Sequence, residues 1–265
     1  MDIRFLLVKF QLDYILKIER PRDVIKALST LPEDMPEAYK EVLDRIKKAE
    51  GEETARQVLS WLFHAQRPLK MGELREALSI ETDPPDKDLY PKYFINPAQI
   101  LNYCQGLVEL DHRSQIIRFT HYTVQEFLTK NQATLLGRTD LAKVCLTYLK
   151  FDVFELGPCT SWKAFNQRKE TYQFSDYAMR YWGLYVRGEG EEDAKILDSL
   201  LNLFRSPRKC NAIYQHMVWI CNNSYWKITK FLHWTSLHII ASEGLAKICR
   251  RVLYDDRYIY SFICR

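Results

Sequence analysis

Between Ile117 and Leu128 the hydrophobic period changes from two residues to helical spacing, and no other feature restricts the chain so much. Ile117, Phe119 and His121 alternate with Arg118, Thr120 and Tyr122 as in a half-buried strand, after which Val124, Phe127 and Leu128 recur as on one helix face. Thr123, with Glu126 three residues later, has the pattern of a capping box, in which hydroxyl and carboxylate satisfy backbone N–H groups that a helix start leaves unpaired. His121 is therefore expected just ahead of a helix N-terminus, an end that carries partial positive charge and attracts phosphate. Two uses of the imidazole follow: donation to the phosphate of a bound nucleotide, or burial in the core beside Ile117 and Phe119, bonded to a carbonyl. The local residues favour the second.

The preceding segments read as helices. The N-terminus is apolar but interrupted by Arg4, Lys9, Asp13 and Lys17, which excludes a signal peptide or a membrane span. It is expected to be an amphipathic helix that Pro21 ends, with an apolar face that needs a partner. Pro36 stands at the first turn of a helix whose Tyr39, Val42, Leu43 and Ile46 form one stripe. Ala55, Val58, Leu59, Leu62 and Phe63 form the next, which Arg67-Pro68 stops before a short extended stretch and a helix carrying Leu74, Ala77 and Leu78. Residues 81–97 hold Pro84, Pro85, Pro91 and Pro97 among charged side chains and form a surface loop. Pro97 opens a helix with Ile100, Leu101 and Cys104 that Gly106 ends, and Leu107–Leu110 pairs across D-H-R-S with Gln115–Thr120. Three helices followed by a hairpin make a winged helix.

A winged helix raises DNA binding, and the residues argue against it. The segment in the recognition position, Asn96 to Gly106, contains no lysine or arginine, and Glu52–Lys130 holds nine basic against eleven acidic residues. Phosphate neutralisation supplies most non-specific affinity for nucleic acid, so Gln99, Asn102 and Gln105 read as a solvated face. The whole chain, 265 residues with 47% hydrophobic residues and a net charge of +4, fits one or two domains and calls for neither nucleic acid nor an acidic membrane. Seven cysteines without a C-x-x-C pair indicate thiols in a reducing compartment rather than a disulfide framework or a zinc site.

Beyond residue 137 periodicity carries the reading. Thr139 and Asp140 can cap a helix with Leu141, Val144, Cys145, Tyr148 and Leu149; a loop follows. Phe174, Tyr177, Ala178, Tyr181, Trp182 and Tyr185 form an aromatic stripe. Aromatic stripes can stack bases, but packing against neighbouring helices is favoured because Tyr and Trp bury large areas. Ile196, Leu200, Leu203 and Phe204 continue the pattern, as do Ile213, Met217, Ile220 and Cys221, while Arg205, Arg208 and Lys209 suit a solvated helix end.

Four strings resemble the C-terminal part of fungal NACHT-family (STAND, NLR-like) signalling ATPases. They are F-L-L-V-K-F-Q-L-D-Y-I at Phe5–Ile15, A-L-S-T-L-P-E-D-M-P-E-A-Y-K-E-V-L-D-R-I at Ala27–Ile46, V-L-S-W-L-F-H-A-Q-R-P-L-K-M-G-E-L-R-E-A-L at Val58–Leu78, and F-T-H-Y-T-V-Q-E-F-L at Phe119–Leu128. The resemblance implies, in order, the end of a helical subdomain, linker helices, and the opening and close of the winged-helix domain. Its closing histidine contacts ADP in the resting state, a role that falls to His121. Thr235–Leu253, T-S-L-H-I-I-A-S-E-G-L-A-K-I-C-R-R-V-L, resembles the core of an ankyrin repeat, with Ser236 where that family usually has proline. Thr235 and His238 can exchange hydrogen bonds at the first helix, Leu237, Ile240 and Ala241 pack, and Gly244 allows the turn. One repeat cannot bury its own faces, and Tyr258, Tyr260, Phe262 and Ile263 at the chain end look uncovered, so truncation at both ends is expected.

The phosphate cradle of such ATPases is missing from this sequence. No G-x-x-x-x-G-K-[ST] run occurs, and the nearest spacing, Gly183 to Gly188, continues with Glu189 and Gly190, where a carboxylate would repel phosphate. Nor is there a G-x-S-x-G elbow for hydrolase chemistry. The expectation is a mainly helical chain: helical-subdomain end and linker at 1–50, winged helix at 51–133, helical region at 134–230, and a truncated ankyrin-like repeat at 231–265. It would be non-enzymatic, cytoplasmic and without its own cofactor or metal, ADP or ATP being held by a full-length parent. Its partners would be proteins met through the helical and ankyrin-like region, and an upstream NACHT core. The alternatives are a stand-alone ankyrin-like scaffold and a winged-helix DNA binder.

Overall fold

The computed structural model describes residues 3–16, 18–221 and 235–254, and the chain divides into two compact units. The first is Met1–Met71 with Asn96–Leu135, the second Gly72–Ile95 with Leu136–Arg265. The fold is mainly helical with one small antiparallel sheet, as the periodicities predict.

The first unit begins with α1 (Ile3–Ile15), α2 (Pro21–Leu28) and α3 (Met35–Lys48). Pro21 does not end α1 but opens α2, because a proline's missing N–H costs nothing in a first turn. Asp34 caps α3 by accepting from the Glu37 N–H at 2.9 Å, and Tyr39, Val42, Leu43 and Ile46 are buried as a single stripe. Helix α4 (Glu52–His64) starts after Gly51, whose φ of +85° and closeness to the Tyr103 ring (2.4 Å from an added Cβ) leave room for no side chain. Here the expected stripe is corrected: Ala55, Val58 and Leu59 are buried, but Ser60 and Trp61 join them while Leu62 and Phe63 are half-exposed.

Strand β1 (Leu69–Lys70), helix α5 (Met71–Leu78), helix α6 (Pro97–Tyr103) and strands β2 (Val108–Asp111) and β3 (Ile116–Phe119) follow. The short extended stretch after Pro68 thus adds a third strand to the expected hairpin. The sheet order is β1-β3-β2, with Leu69 opposite Ile117 and Leu110 also opposite Ile117. Asn96 caps α6 through the Ala98 N–H (2.8 Å), Gly106 with φ +86° ends it, and Asp111 holds the hairpin turn by accepting from the Arg113 N–H and the Ser114 hydroxyl. Helix α7 (Tyr122–Lys130) closes the unit, burying Val124 and Leu128.

The second unit comprises most of α5, the proline-rich segment, α8 (Arg138–Leu149), α9 (Trp162–Thr171), α10 (Ser175–Val186), α11 (Ala194–Phe204), α12 (Pro207–Cys221), α13 (Ser236–Ser242) and α14 (Ala246–Tyr254). Two sequence expectations are corrected. Gly137 rather than Thr139 or Asp140 is the N-cap of α8, with Asp140 returning a carboxylate to the Gly137 N–H. Residues 162–171, expected as loop, form α9, capped by Ser161; its apolar face is too narrow to register as a period. The aromatic stripe of α10 packs against α8 and α12, with Tyr177, Trp182 and Tyr185 buried.

Helices α13 and α14 form a pair. Thr235 caps α13, its N–H donating to His238 Nδ1 (3.2 Å) with the hydroxyl 2.8 Å from the same nitrogen, and Gly244 takes φ +69° in the turn. The buried face is Ile239, Ile240, Leu245, Ile248 and Val252, whereas Ala241 is exposed and Leu237 only half-buried. Met217, Ile220, Cys221, Tyr258, Tyr260, Phe262 and Ile263 are among the positions whose packing lies outside the described residues.

Candidate functional site

The residues around His121 converge where β3 passes into α7. His121 is itself the N-cap of α7, with extended backbone (φ −154°, ψ 152°) and a ring that accepts the Thr123 N–H at its Nδ1 (3.3 Å). The expected Thr123–Glu126 capping box is therefore replaced. The helix starts at Tyr122, so Thr123 falls inside the first turn and Glu126 stands exposed on the second. The Thr123 hydroxyl instead lies 2.8 Å from His121 Nδ1 and 2.7 Å from the Tyr39 hydroxyl. Tyr39, 2% exposed, is wedged between Phe10 and Phe127, with ring centroids at 5.7 and 5.4 Å. Burial, with a smaller push from Glu126, holds its phenol above the ordinary value against the pull of Thr123, so the hydroxyl keeps its proton.

His121 is half-buried, and its ring nitrogen Nδ1 meets the Thr123 hydroxyl and amide rather than a carbonyl in the core. It lines a groove of about 440 Å³ whose other walls include Leu62, Gln66, Arg67, Arg118 and Gln125. Arg118 pairs with Glu109 at 2.9 Å across the hairpin, and Arg67 donates to the Pro68 carbonyl. The groove thus brings together an imidazole, two guanidinium groups and two amides, of which Arg118 is engaged by Glu109, Arg67 by the Pro68 carbonyl and Gln66 by the His64 carbonyl. The sequence singled out His121, but Tyr39, 82 positions earlier, was legible only as a core residue of its helix stripe.

The other sequence-level candidates are placed differently. The imperfect glycine spacing, Gly183 to Gly188 followed by Glu189 and Gly190, runs from within α10 into a tight turn at Gly188, whose Glu191 accepts from the Lys247 N–H (2.7 Å) and the Ile248 N–H (3.4 Å), capping α14. Thr235, His238 and Gly244 serve the local geometry of the α13–α14 pair. Among the described residues no cluster of three or more His, Cys, Asp or Glu side chains could hold a metal ion, and no helix is long and apolar enough to cross a membrane. The described cysteines are free; burial pushes the thiols of Cys104 and Cys210 up to about 12, which removes thiolate character at neutral pH.

Helix, strand, two helices and a hairpin, in the order α4-β1-α5-α6-β2-β3, define a winged-helix domain. Residues 43–142 match the family model described as "GPI inositol-deacylase, winged helix domain". No curated protein and no solved structure gives a significant match.

Proposed function

We propose that the chain is the regulatory and protein-interaction part of a NACHT-type signalling ATPase, in which the winged helix holds an upstream nucleotide core closed around ADP and His121 donates to an ADP phosphate. The observation that carries this reading is the position of His121 on a groove that also presents Arg67 and Arg118. Two further features support it. Helices α1 and α2, with the turn that follows α1, leave Val8, Leu12, Leu16, Ile25 and Leu28 about half or more exposed, an apolar surface that an upstream core would cover. The α13–α14 pair, with its Thr235–His238 cap and Gly244 turn, has the features of an ankyrin-like repeat through which a protein ligand would release the switch. The role is non-enzymatic and cytoplasmic, with neither nucleic acid nor membrane as partner. The name of the matched family refers to a deacylase, but the match is to the winged helix, and the sequence has no G-x-S-x-G elbow.

The test requires a nucleotide core fused ahead of this chain. His121→Ala should weaken ADP retention by about 1.5–3 kcal/mol, the worth of a hydrogen bond to a charged group, or roughly ten- to a hundredfold. ATP affinity should change much less, because only the resting state brings the winged helix to the nucleotide. Equal losses for ADP and ATP would remove the sensor role and leave the scaffold reading. The unfused chain should show no magnesium-dependent nucleotide binding in calorimetry, since its sequence lacks the phosphate cradle.

A further inference from the structure

The hydrogen bonds behind His121 run in one direction. The Thr123 amide can only donate, so its approach to Nδ1 at 3.3 Å makes that nitrogen an acceptor without a proton of its own. The Thr123 hydroxyl, 2.8 Å from the same nitrogen, then also donates to it, which leaves the Thr123 oxygen free to accept from the Tyr39 hydroxyl at 2.7 Å. In a neutral imidazole one nitrogen carries the proton and the other accepts. We propose that Tyr39 and Thr123 are positioning residues that fix His121 in the tautomer protonated at Nε2, so that the ring offers a donor to an anionic oxygen in the groove it shares with Arg67 and Arg118.

The inference rests on the functional reading for the identity of the anion, but the relay itself belongs to the free protein. It gives a reason for a threonine two residues after the cap: alanine would keep the helix and the amide contact but lose the hydroxyl step. It also gives a buried tyrosine hydroxyl a polar partner, which a core position requires. The opposite relay, from Nδ1–H through Thr123 to Tyr39, would set an amide hydrogen against a ring hydrogen.

Long-range proton–nitrogen correlation spectra of the His121 ring in the full chain, recorded at about pH 8, above the reference value for imidazole, read the tautomer directly. The wild-type chain should show a single Nε2–H form. The Thr123 amide contact, long at 3.3 Å, survives both substitutions, so Thr123→Val and Tyr39→Phe should move the Nδ1 resonance partway from the unprotonated position as a minority Nδ1–H form becomes populated, more for Thr123→Val, while Thr123→Ser, which keeps the hydroxyl, should retain the wild-type pattern and guards against misreading a folding defect. An Nδ1–H form or a mixture in the wild type overturns the proposal, and so does a pattern unchanged by both Thr123→Val and Tyr39→Phe. No nucleotide is needed for these spectra. Failure of the relay is therefore distinct from failure of the ADP reading, which the retention measurement on the fused protein decides.

Discussion

The two units are closed by different means. In the first, apolar stripes repeat at regular spacing, α3, α6 and α7 are each capped by a side chain within three residues of the amide it accepts from, and the sheet pairs segments that adjoin in sequence apart from β1, the Tyr39–Thr123 hydroxyl contact being a long-range exception. In the second, buried polar side chains bond to residues far along the chain. Both carboxylate oxygens of Glu76 are used, Oε2 by the Tyr148 hydroxyl (2.6 Å) and the Phe174 N–H, Oε1 by the Gln173 N–H. Gln215 exchanges two hydrogen bonds of 2.7 Å with the Cys159 backbone, and the Glu191 carboxylate caps a helix 56 residues away. Local apolar patterning tolerates exchange among similar side chains, whereas a buried polar node strands its partners when it is lost.

The largest effect that would separate the two modes is expected at Glu76. Glu76→Ala leaves the buried Tyr148 hydroxyl and Phe174 N–H and the part-buried Gln173 N–H without an acceptor, and at about 1–3 kcal/mol for each stranded group the loss should be about 4 kcal/mol. Glu76→Gln should recover only part of this, because an amide nitrogen cannot accept. In the first unit Val42→Ala, which removes two methyl groups from the α3 stripe, should cost about 2 kcal/mol. Chemical denaturation of the three variants ranks them, and an alanine at 76 no worse than the one at 42 would break the distinction.

A second effect is a pH dependence specific to the second unit. Glu243, at the end of α13, is buried against Gly183, where an added Cβ would lie 2.2 Å from its Oε2. Burial raises its carboxyl from an ordinary 4.5 to about 7, with Arg187 pulling the other way. The folded state thus holds a proton that the unfolded chain releases, so this contribution is full below about 4.5 and is lost as pH rises through 7. The span corresponds to at most about 3 kcal/mol. Glu243→Gln should flatten that slope, leaving the variant more stable than the parent near pH 8 by up to this amount; parallel melting curves across the pH range would rule it out.

This division also decides what could be read beforehand. The α3 stripe, the proline-rich segment, the α6 helix and the β2–β3 hairpin follow from period, proline and glycine, all of which act within a few residues. His121 was legible because a change of period surrounds it. Its role as cap was not, because Thr123 and Glu126 have the better capping pattern, and only the buried hydroxyl of Tyr39 shows where the Thr123 side chain turns. Helix α9 escaped notice for a similar reason: apart from Phe165 its face is polar, and its cap is an ordinary serine. Glu191 sits among glycines that suggested a failed phosphate loop, and no local signal connects it with Lys247.

The smallest difference compares a cap of each kind. Asp34 and Glu191 both present a carboxylate to the backbone N–H groups of a helix start, the first three residues from its partner Glu37 and the second 56 from Lys247. Asp34→Ala should cost about 1 kcal/mol, as exposed cap deletions usually do, since water can reach the freed amide. Glu191 is 5% exposed and also accepts from the Gly188 N–H at 3.3 Å, so Glu191→Ala should cost about 2 kcal/mol. Hydrogen exchange resolves where each loss falls: the α3 amides alone should quicken in the first variant, whereas the second should release α14 together with the turn at Gly188. Should Glu191→Ala quicken the Gly188 amide but leave the α14 amides as protected as before, its carboxylate is a local cap like Asp34, and the contrast between the units narrows to Glu76 and Gln215.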